Sequence, residues 1–147
     1  MAQLSNTGTW SSPMALETLQ AALSEFFAPW VQQLGLRAEA LRSEGITLRL
    51  PFTPQLARSG GMACGQALMA AADTAAAIAL MRHFGQFRPC TTVQLNTSFL
   101  RPLSSQDALV NAKVLRAGKS LAFIEVDIRG AMDGETVARA STTYALL

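Results

Sequence analysis

The feature that most constrains the fold is an alanine-rich segment from Gly65 to Arg82, with the sequence GQALMAAADTAAAIALMR. Its apolar residues occur on every side of a helix, and a helix of this kind is stable when other parts of the protein surround it. The small side chains of alanine also allow neighbouring backbone to approach closely. The sequence therefore predicts a central helix that the rest of the chain encloses.

Strand-like patterns lie on both sides of this segment. Residues 46–50 alternate between apolar and polar side chains after a turn signal at 43–45, which indicates two strands between Leu36 and Pro51. Four further strands are predicted at 93–99, 110–114, 122–128 and 135–146. Consecutive strands with short turns favour an antiparallel sheet. The predicted fold class is α+β, with a curved antiparallel sheet wrapped around the alanine-rich helix, which is the hot-dog arrangement.

The N-terminal region predicts one amphipathic helix. The Ser-Ser-Pro sequence at residues 11–13 is a helix-start signal, and apolar residues then recur at steps of three and four as far as Trp30. Gly35 is expected to end this helix. Residues 1–12 are interpreted as a flexible arm, and residues 13–147 as a single domain of the predicted hot-dog type.

The composition indicates that the chain associates with copies of itself. Half of the 147 residues are hydrophobic and only 15% are charged. A domain of this size has a large surface for its volume, so part of the apolar excess is expected to lie in a subunit interface. We therefore predict a homo-oligomer.

Charge and residue usage disfavour several classes of partner. A net charge of +2 with scattered basic residues does not match the basic patch of a nucleic-acid-binding protein. Cys64, Cys90 and the single histidine, His83, have the spacing of neither a metal site nor a disulfide framework. The first residues do not resemble a secretion signal, and the longest apolar run is shorter than the roughly 20 residues that cross a membrane. We expect no metal, nucleic-acid or membrane partner, and a cytoplasmic location.

Asp73 is the only charged residue between Gly65 and Met81. An ionised carboxylate inside an apolar helix is destabilising unless it is paired or functional. Asp73 is therefore a candidate catalytic base or nucleophile. The competing interpretation is that the helix breaks here and that Asp73 caps a second helical segment. Residue chemistry alone leaves these two interpretations equally open.

Gly65 is the second candidate because it lies at the expected start of the same helix. Backbone N–H groups at a helix start are unpaired and stabilise negative charge, and glycine lets a ligand approach them closely. The competing interpretation, which Gly65 taken alone favours, is that Gly60, Gly61 and Gly65 merely form a loop. Eight residues along a helix span roughly 12 Å, too far for Asp73 and Gly65 of one chain to act on one carbonyl. A two-fold dimer with antiparallel helices would bring Asp73 of one chain to Gly65 of the other.

Four segments, taken in order, resemble one known family. GQALMAAADTAAAIAL resembles the HGG-x6-D helix start of the PaaI-like (phenylacetate-pathway type) hot-dog thioesterases, with Gly65 at the first glycine and Asp73 at the acid. TTVQLNTSFLRPL, VLRAGKSLAFIEVDIR and ARASTTYAL are similar to the strands that follow in that family. The resemblance extends over residues 36–147.

The resemblance implies a thioesterase that hydrolyses acyl-CoA or aryl-CoA thioesters without a metal or organic cofactor. It implies that the Gly65 N–H polarises the thioester carbonyl, that Asp73 of the partner subunit acts as base or nucleophile, and that the Thr92 hydroxyl helps to position water. It also implies dimers that pair into tetramers. It assigns Cys64, Gln66 and Arg58 to contacts with the substrate, and Arg101, Arg116 and Lys119 to contacts with the CoA phosphates. The competing interpretation, equally open, is that the last three are solvated charges at strand ends and turns.

Three of these residues depart from the family pattern. Cys64 replaces a frequent histidine, Gln66 replaces the second glycine, and Arg58 replaces Asn or Gln. These departures keep open a second interpretation, a non-catalytic module that binds acyl thioesters. A dehydratase acting on enoyl thioesters ranks last, because it needs a His–acid pair and His83 is poorly placed for one. Cys64 as a nucleophile is a further alternative, which the lack of a nearby histidine in the sequence disfavours.

The first prediction concerns assembly. Because the apolar excess is expected to lie in a subunit interface, the purified chain should have the molar mass of a dimer or tetramer of 15.7 kDa subunits. Size-exclusion chromatography with light scattering measures this mass directly. A monomer at micromolar concentration would contradict the prediction.

Overall fold

The computed structural model describes residues 14–147. The predicted flexible arm, residues 1–12, and the helix-start signal at 11–13 lie outside the described residues. The helices and strands are α1 Leu16–Leu23, α2 Pro29–Gln32, β1 Arg37–Arg42, β2 Gly45–Leu50, α3 Gly65–Phe84, β3 Cys90–Phe99, β4 Ala108–Ala117, β5 Leu121–Gly130 and β6 Thr136–Leu146. None of the helices within this part of the chain is long and apolar enough to cross a membrane.

The six strands form one antiparallel sheet in the order β1-β2-β4-β5-β6-β3, so that β1 and β3 are its edges. Alternate side chains of β4, β5 and β6 are almost completely buried, as are most of those of β2. Single extra residues form β-bulges at Glu39 in β1, Val93 in β3 and Leu115 in β4. A bulge bends its strand and increases the local twist. The sheet curves around α3, and the predicted α+β class and hot-dog fold are confirmed.

α3 is enclosed on all but one side. Its most deeply buried residues are mostly alanines: Ala71, Ala72, Ala75, Ala76 and Ile78 are each inaccessible to solvent. Residues three or four apart along the helix remain partly accessible, and we call them the accessible stripe: Gln66, Met69, Ala70, Asp73 and Ala77. The prediction of burial on every side is therefore wrong for the single chain, because the stripe that contains Asp73 is uncovered.

The predicted N-terminal helix is two helices rather than one. α1 ends at Leu23, and α2 begins at Pro29. Proline has no N–H to donate and disfavours helical backbone in the residue before it, and Ala28 is accordingly extended, with ψ 148°. The apolar periodicity hid this break because it continues through the turn. Gly35 follows α2 in the left-handed region, with φ 70°, close to the position where the sequence predicts a helix end.

Gly45 begins β2 at a point where no side chain fits. A Cβ atom there would overlap the backbone carbonyl of Ala112 and would lie 3.1 Å from the Cα of Lys113, both in the neighbouring strand β4. We expect Gly45→Ala to lower the free energy of unfolding by about 2–4 kcal/mol, because the backbone of a central strand cannot move aside as a side chain can. Urea unfolding followed by circular dichroism measures the change.

Gly118→Ala is the matched control for this substitution. Gly118 also lies at a turn of the sheet, but a Cβ atom added there would have the Leu121 carbonyl oxygen, at 3.3 Å, as its nearest contact. We expect Gly118→Ala to lower the free energy of unfolding by about 1 kcal/mol or less. Equal losses in the two variants would contradict the explanation from close backbone approach.

Candidate active site

Asp73 lies near the middle of α3, which runs without interruption from Gly65 to Phe84. The interpretation of Asp73 as the cap of a second helical segment is therefore wrong. Thr74 fits the continuous helix because its hydroxyl donates to the carbonyl of Ala70, one turn earlier, at 2.8 Å. Asp73 belongs to the accessible stripe, and its side chain lines a cavity.

Two hydroxyl groups bind the carboxylate of Asp73 at the same oxygen atom. The Thr92 hydroxyl, on β3, donates to Oδ1 at 2.9 Å. The Tyr144 hydroxyl, on β6, lies 2.6 Å from Oδ1 and 2.8 Å from the backbone carbonyl oxygen of Asp73. Thr92 and Tyr144 are directly paired across the two strands. The structure thus brings Thr92, one of the predicted site residues, to Asp73 of its own chain.

Tyr144 is a residue of this site that the sequence reasoning missed. Its side chain is almost inaccessible, and the residue is 4% exposed. Burial raises the pKa of the phenol above its ordinary value, and the negative charge of Asp73 raises this pKa further. The phenol therefore stays protonated and serves as a hydrogen-bond donor at physiological pH. The sequence offered only a general signal, because a buried tyrosine hydroxyl usually has a hydrogen-bond partner, and it did not indicate that this partner is Asp73.

The cavity beside Asp73 has a volume of about 320 Å³, and we call it the carboxylate cavity. Asp73, Thr92 and Tyr144 provide polar groups on one side of it, and Thr91 and Arg88 also line it with a hydroxyl and a guanidinium group. The remaining walls come from the turn after α1, the C-terminal half of α3 and the region around the start of β3: Phe26, Phe27, Ala77, Leu80, Met81, Phe84, Phe87, Arg88, Cys90 and Thr91. Phe26 and Phe87 stack with their ring centroids 4.4 Å apart. The cavity is thus an apolar, largely aromatic space with a carboxylate in its wall.

Gly65 is the first residue of α3, and Cys64 is its N-cap. Leu68 donates its N–H to the Cys64 carbonyl at 3.4 Å, which is the first hydrogen bond of the helix. Within residues 14–147, the N–H groups of Gly65, Gln66 and Ala67 have no backbone carbonyl partner. They make the positive end of α3 available to an oxygen that carries negative charge.

A second cavity, of about 370 Å³, opens at this helix start, and we call it the glycine cavity. Two of the predicted substrate-binding residues, Arg58 and Arg101, line it. A Cβ atom at Gly65 would lie 3.3 Å from the Phe99 ring, so a larger residue would crowd the cavity. Arg101 also lies 3.6 Å from a carboxylate oxygen of Glu135, and both side chains are more than half exposed, which makes this ion pair weak.

The other predicted substrate-binding residues are spread more widely. Cys64 and Gln66 flank Gly65 in sequence but do not line the glycine cavity. Arg116 and Lys119 lie at the β4–β5 turn, at the end of the sheet where β3 begins, whereas the Arg101 that lines the glycine cavity follows the other end of β3. One chain therefore does not bring these basic residues together, and their contact with a substrate stays a prediction.

Asp73 and Gly65 also do not meet within one chain. Eight residues of continuous helix separate them by roughly 12 Å, and each lines a different cavity. β3 connects the two regions, because Thr92 near its start contacts Asp73 and Phe99 at its end packs against Gly65.

The edge strand β3 has an exposed apolar surface. Val93 is 59% exposed, Phe99 50%, and the residue after the strand, Leu100, 53%. The outer side of β3 has no neighbouring strand within the described part of the chain. An edge of this kind readily pairs with another chain. These features favour an interface between subunits along β3.

The cysteine and histidine side chains add little to the site. Burial raises the pKa of the Cys90 thiol in the carboxylate cavity, and the charge of Asp73 raises this pKa further, so the thiol is a poor nucleophile. His83, in the last turn of α3, is half-buried, and burial lowers its pKa. Across residues 14–147, no group of three or more His, Cys, Asp or Glu side chains is arranged to hold a metal ion.

Sequence comparison relates this chain to a thioesterase family and to proteins provisionally named esterases. The family described as the thioesterase superfamily matches residues 60–137, a segment that contains Gly65, Asp73 and Thr92. A Thermoplasma acidophilum protein, provisionally named an esterase, is 32% identical over 93 residues, which make up 63% of this chain and 67% of the relative.

Solved structures with the same fold include two bacterial proteins. A mutant thioesterase from Pseudomonas aeruginosa has a TM-score of 0.82 at 24% identity, over 94% of this chain and 97% of the other. The E. coli PaaI protein, from the phenylacetic acid degradation operon, has a TM-score of 0.75 at 20% identity, over 90% of this chain and 96% of the other. At these identities, the similarity concerns the fold alone.

Proposed function

Because this chain belongs to the thioesterase superfamily, we propose that it hydrolyses acyl-CoA or aryl-CoA thioesters as a PaaI-like member of that superfamily. The observation that carries the proposal is the carboxylate of Asp73, which two hydroxyl groups bind in the wall of an apolar cavity. The reaction adds water across the C–S bond of the thioester and gives a carboxylic acid and the free thiol of CoA.

The proposed site forms between two chains that pair along β3. Thr92 contacts Asp73 and Phe99 packs against Gly65. A two-fold axis at Asn96, midway along this stretch once the extra residue of the bulge is left out, would set Thr92 of one chain opposite Phe99 of the other. The same symmetry would bring Asp73 of one chain to Gly65 of the partner subunit. Pairing of this kind would also cover the exposed apolar surface of β3.

The proposed chemistry divides between the two subunits. The N–H groups at the start of α3 polarise the thioester carbonyl and stabilise the negative oxygen of the tetrahedral intermediate. Asp73 of the other subunit either takes a proton from the attacking water or attacks the carbonyl carbon itself, forming an anhydride that water then opens. The CoA thiolate leaves and takes up a proton. This sequence of steps needs neither a metal nor an organic cofactor.

The carboxylate cavity is the proposed acyl site. Its volume of about 320 Å³ and its aromatic walls suit an aryl group or a short to medium acyl chain. The CoA portion of the bound substrate would extend from the carboxylate cavity into the glycine cavity of the partner subunit. There, Arg58 and Arg101 offer guanidinium groups that are well suited to phosphate.

A non-catalytic module that binds acyl thioesters is the second candidate. The observation that favours it is a pair of residues, Cys64 and Arg58, that differ from the family pattern at and before the helix start. A dehydratase is less well supported. The only histidine, His83, lies ten residues after Asp73 on the same helix, roughly 15 Å away.

Asp73→Asn tests the proposed chemistry. On a panel of acyl-CoA and aryl-CoA thioesters, with free thiol as the readout, we expect turnover by the wild type and a kcat at least 10²-fold lower in the variant, because an amide neither takes up a proton nor attacks. Circular dichroism and light scattering should show an unchanged fold and assembly. Turnover of the variant at the wild-type rate would contradict the mechanism, and a wild type that binds CoA esters without turnover would favour the binding module.

Mixed dimers test whether two subunits share the site. Asp73→Asn and Gly65→Val are each expected to inactivate the protein when every subunit carries the same substitution. A dimer that combines the two variants contains one intact site, with Gly65 from one chain and Asp73 from the other. Random mixing should therefore restore about a quarter of the wild-type activity, since half of the dimers are mixed and each has one working site of two. Absence of any recovery would contradict a shared site.

A further inference from the structure

We infer that Tyr144 positions Asp73 for catalysis: its phenol, together with the Thr92 hydroxyl, holds Oδ1 so that Oδ2 is the oxygen that meets water or the thioester. This inference rests on the proposed function and goes beyond it. The proposed reaction needs one carboxylate oxygen of Asp73 to face the substrate. The chemistry alone does not determine which of the two oxygens reacts or which residues hold it in place.

The hydrogen bonds of Asp73 distinguish its two carboxylate oxygens. Among the described residues, both hydroxyl groups that bind the carboxylate donate their hydrogen bonds to Oδ1, and Oδ2 has no hydrogen-bond partner. The distance of 2.6 Å from the Tyr144 hydroxyl is typical of a strong hydrogen bond from a hydroxyl to a carboxylate. Oδ2 is thus the oxygen left for a reacting molecule.

The phenol of Tyr144 contacts both the side chain and the main chain of Asp73. Its oxygen lies 2.6 Å from Oδ1 and 2.8 Å from the backbone carbonyl oxygen. The phenol has a single proton, which the two oxygens share, so the carbonyl contact fixes the place of the phenol oxygen and the contact with Oδ1 restricts rotation of the carboxylate. Thr92 adds a second restraint on the carboxylate from β3.

The surroundings of Tyr144 keep its hydroxyl protonated. The polar groups that face the phenol are Asp73 from α3, and Thr92 and Cys90 from β3. Burial and the charge of Asp73 both raise the pKa of the phenol. The aromatic ring is held in the core of the protein, so the hydroxyl has a fixed place as well as a fixed protonation state.

Kinetics of Tyr144→Phe test the positioning role. The substitution keeps the ring and removes the hydroxyl, so we expect kcat to fall about tenfold or more while KM changes by less than about twofold. Thr142→Val is the matched control, because Thr142 is the next buried residue on the same side of β6 and its hydroxyl donates to the Gln94 carbonyl at 2.7 Å instead. Each variant loses one buried hydroxyl, but only Tyr144→Phe should lower kcat. Equal changes in kcat would overturn the inference.

The contact with Asp73 can be measured without turnover, because Tyr144 is the only tyrosine. An ultraviolet absorbance titration of the folded protein should show phenolate forming only above the ordinary tyrosine pKa of about 10. Asp73→Asn removes the charge that disfavours the phenolate, so it should lower the pKa of Tyr144. Identical titrations of the two proteins, with circular dichroism showing that both stay folded, would overturn the contact.

Together, the measurements separate failure of this inference from failure of the proposed function. A wild type that hydrolyses no thioester overturns the proposed function and, with it, the catalytic part of the inference. A wild type with normal turnover and a Tyr144→Phe variant with unchanged kcat overturn the positioning role alone. Loss of kcat in Tyr144→Phe, with normal kcat in Thr142→Val, supports both.

Discussion

Close packing of alanine side chains between α3 and the sheet is the constraint on which the rest of the structure depends. Ala71, Ala72, Ala75 and Ala76 are completely buried, and α3 packs chiefly against β2, β4 and β5. Because alanine is so small, the helix backbone lies close to the sheet, and any rotation of the helix would drive larger side chains into β-strands. The residues on the far side of α3 therefore fix the direction in which Asp73 points.

The environment of Asp73 combines an apolar helix with two hydroxyl donors. Removing a carboxylate from water is costly, and hydrogen bonds from Thr92 and Tyr144 offset part of that cost. In the single chain, the accessible stripe still leaves Asp73 partly open to solvent. A partner subunit along β3 would remove more of this water, so the two hydroxyl groups would matter more in the assembled protein than in the isolated chain.

Much of the fold could be predicted because its signals are local and periodic. The residues of each strand and of the alanine-rich helix show the period of that element. The same local pattern places Gly65 at the start and Asp73 in the middle of one helix. Pro29 was also a local signal, for a break in the N-terminal helix, but the apolar periodicity that continues across it favoured one unbroken helix. The accessible stripe could not be predicted, since Ala70 and Ala77 have the same side chain as their buried neighbours.

The interior of the site was beyond sequence reasoning for a different reason. Tyr144 and Asp73 are separated by 71 positions, and nothing in either residue's neighbourhood indicates the other. Thr92 entered only through the family resemblance. Cavities depend on how several elements meet in space, so the aromatic wall formed by Phe26 and Phe87 became visible only in the structure.

The bulge at Val93 sets the alternation of side chains along β3 and so allows this strand to contact both the start and the middle of α3. In a regular strand, alternate residues face opposite sides, and Thr92 and Phe99, seven positions apart, would point in opposite directions. The single extra residue shifts the alternation by one step, so that Thr92 reaches Asp73 and Phe99 reaches Gly65 from the same face. The β6 residues opposite this face of β3 are all buried: Tyr144, Thr142, Ala140 and Ala138. Inserting or deleting one residue in β3 would therefore turn either Thr92 away from Asp73 or Phe99 away from Gly65. Most single substitutions of a side chain would leave both contacts on the same face.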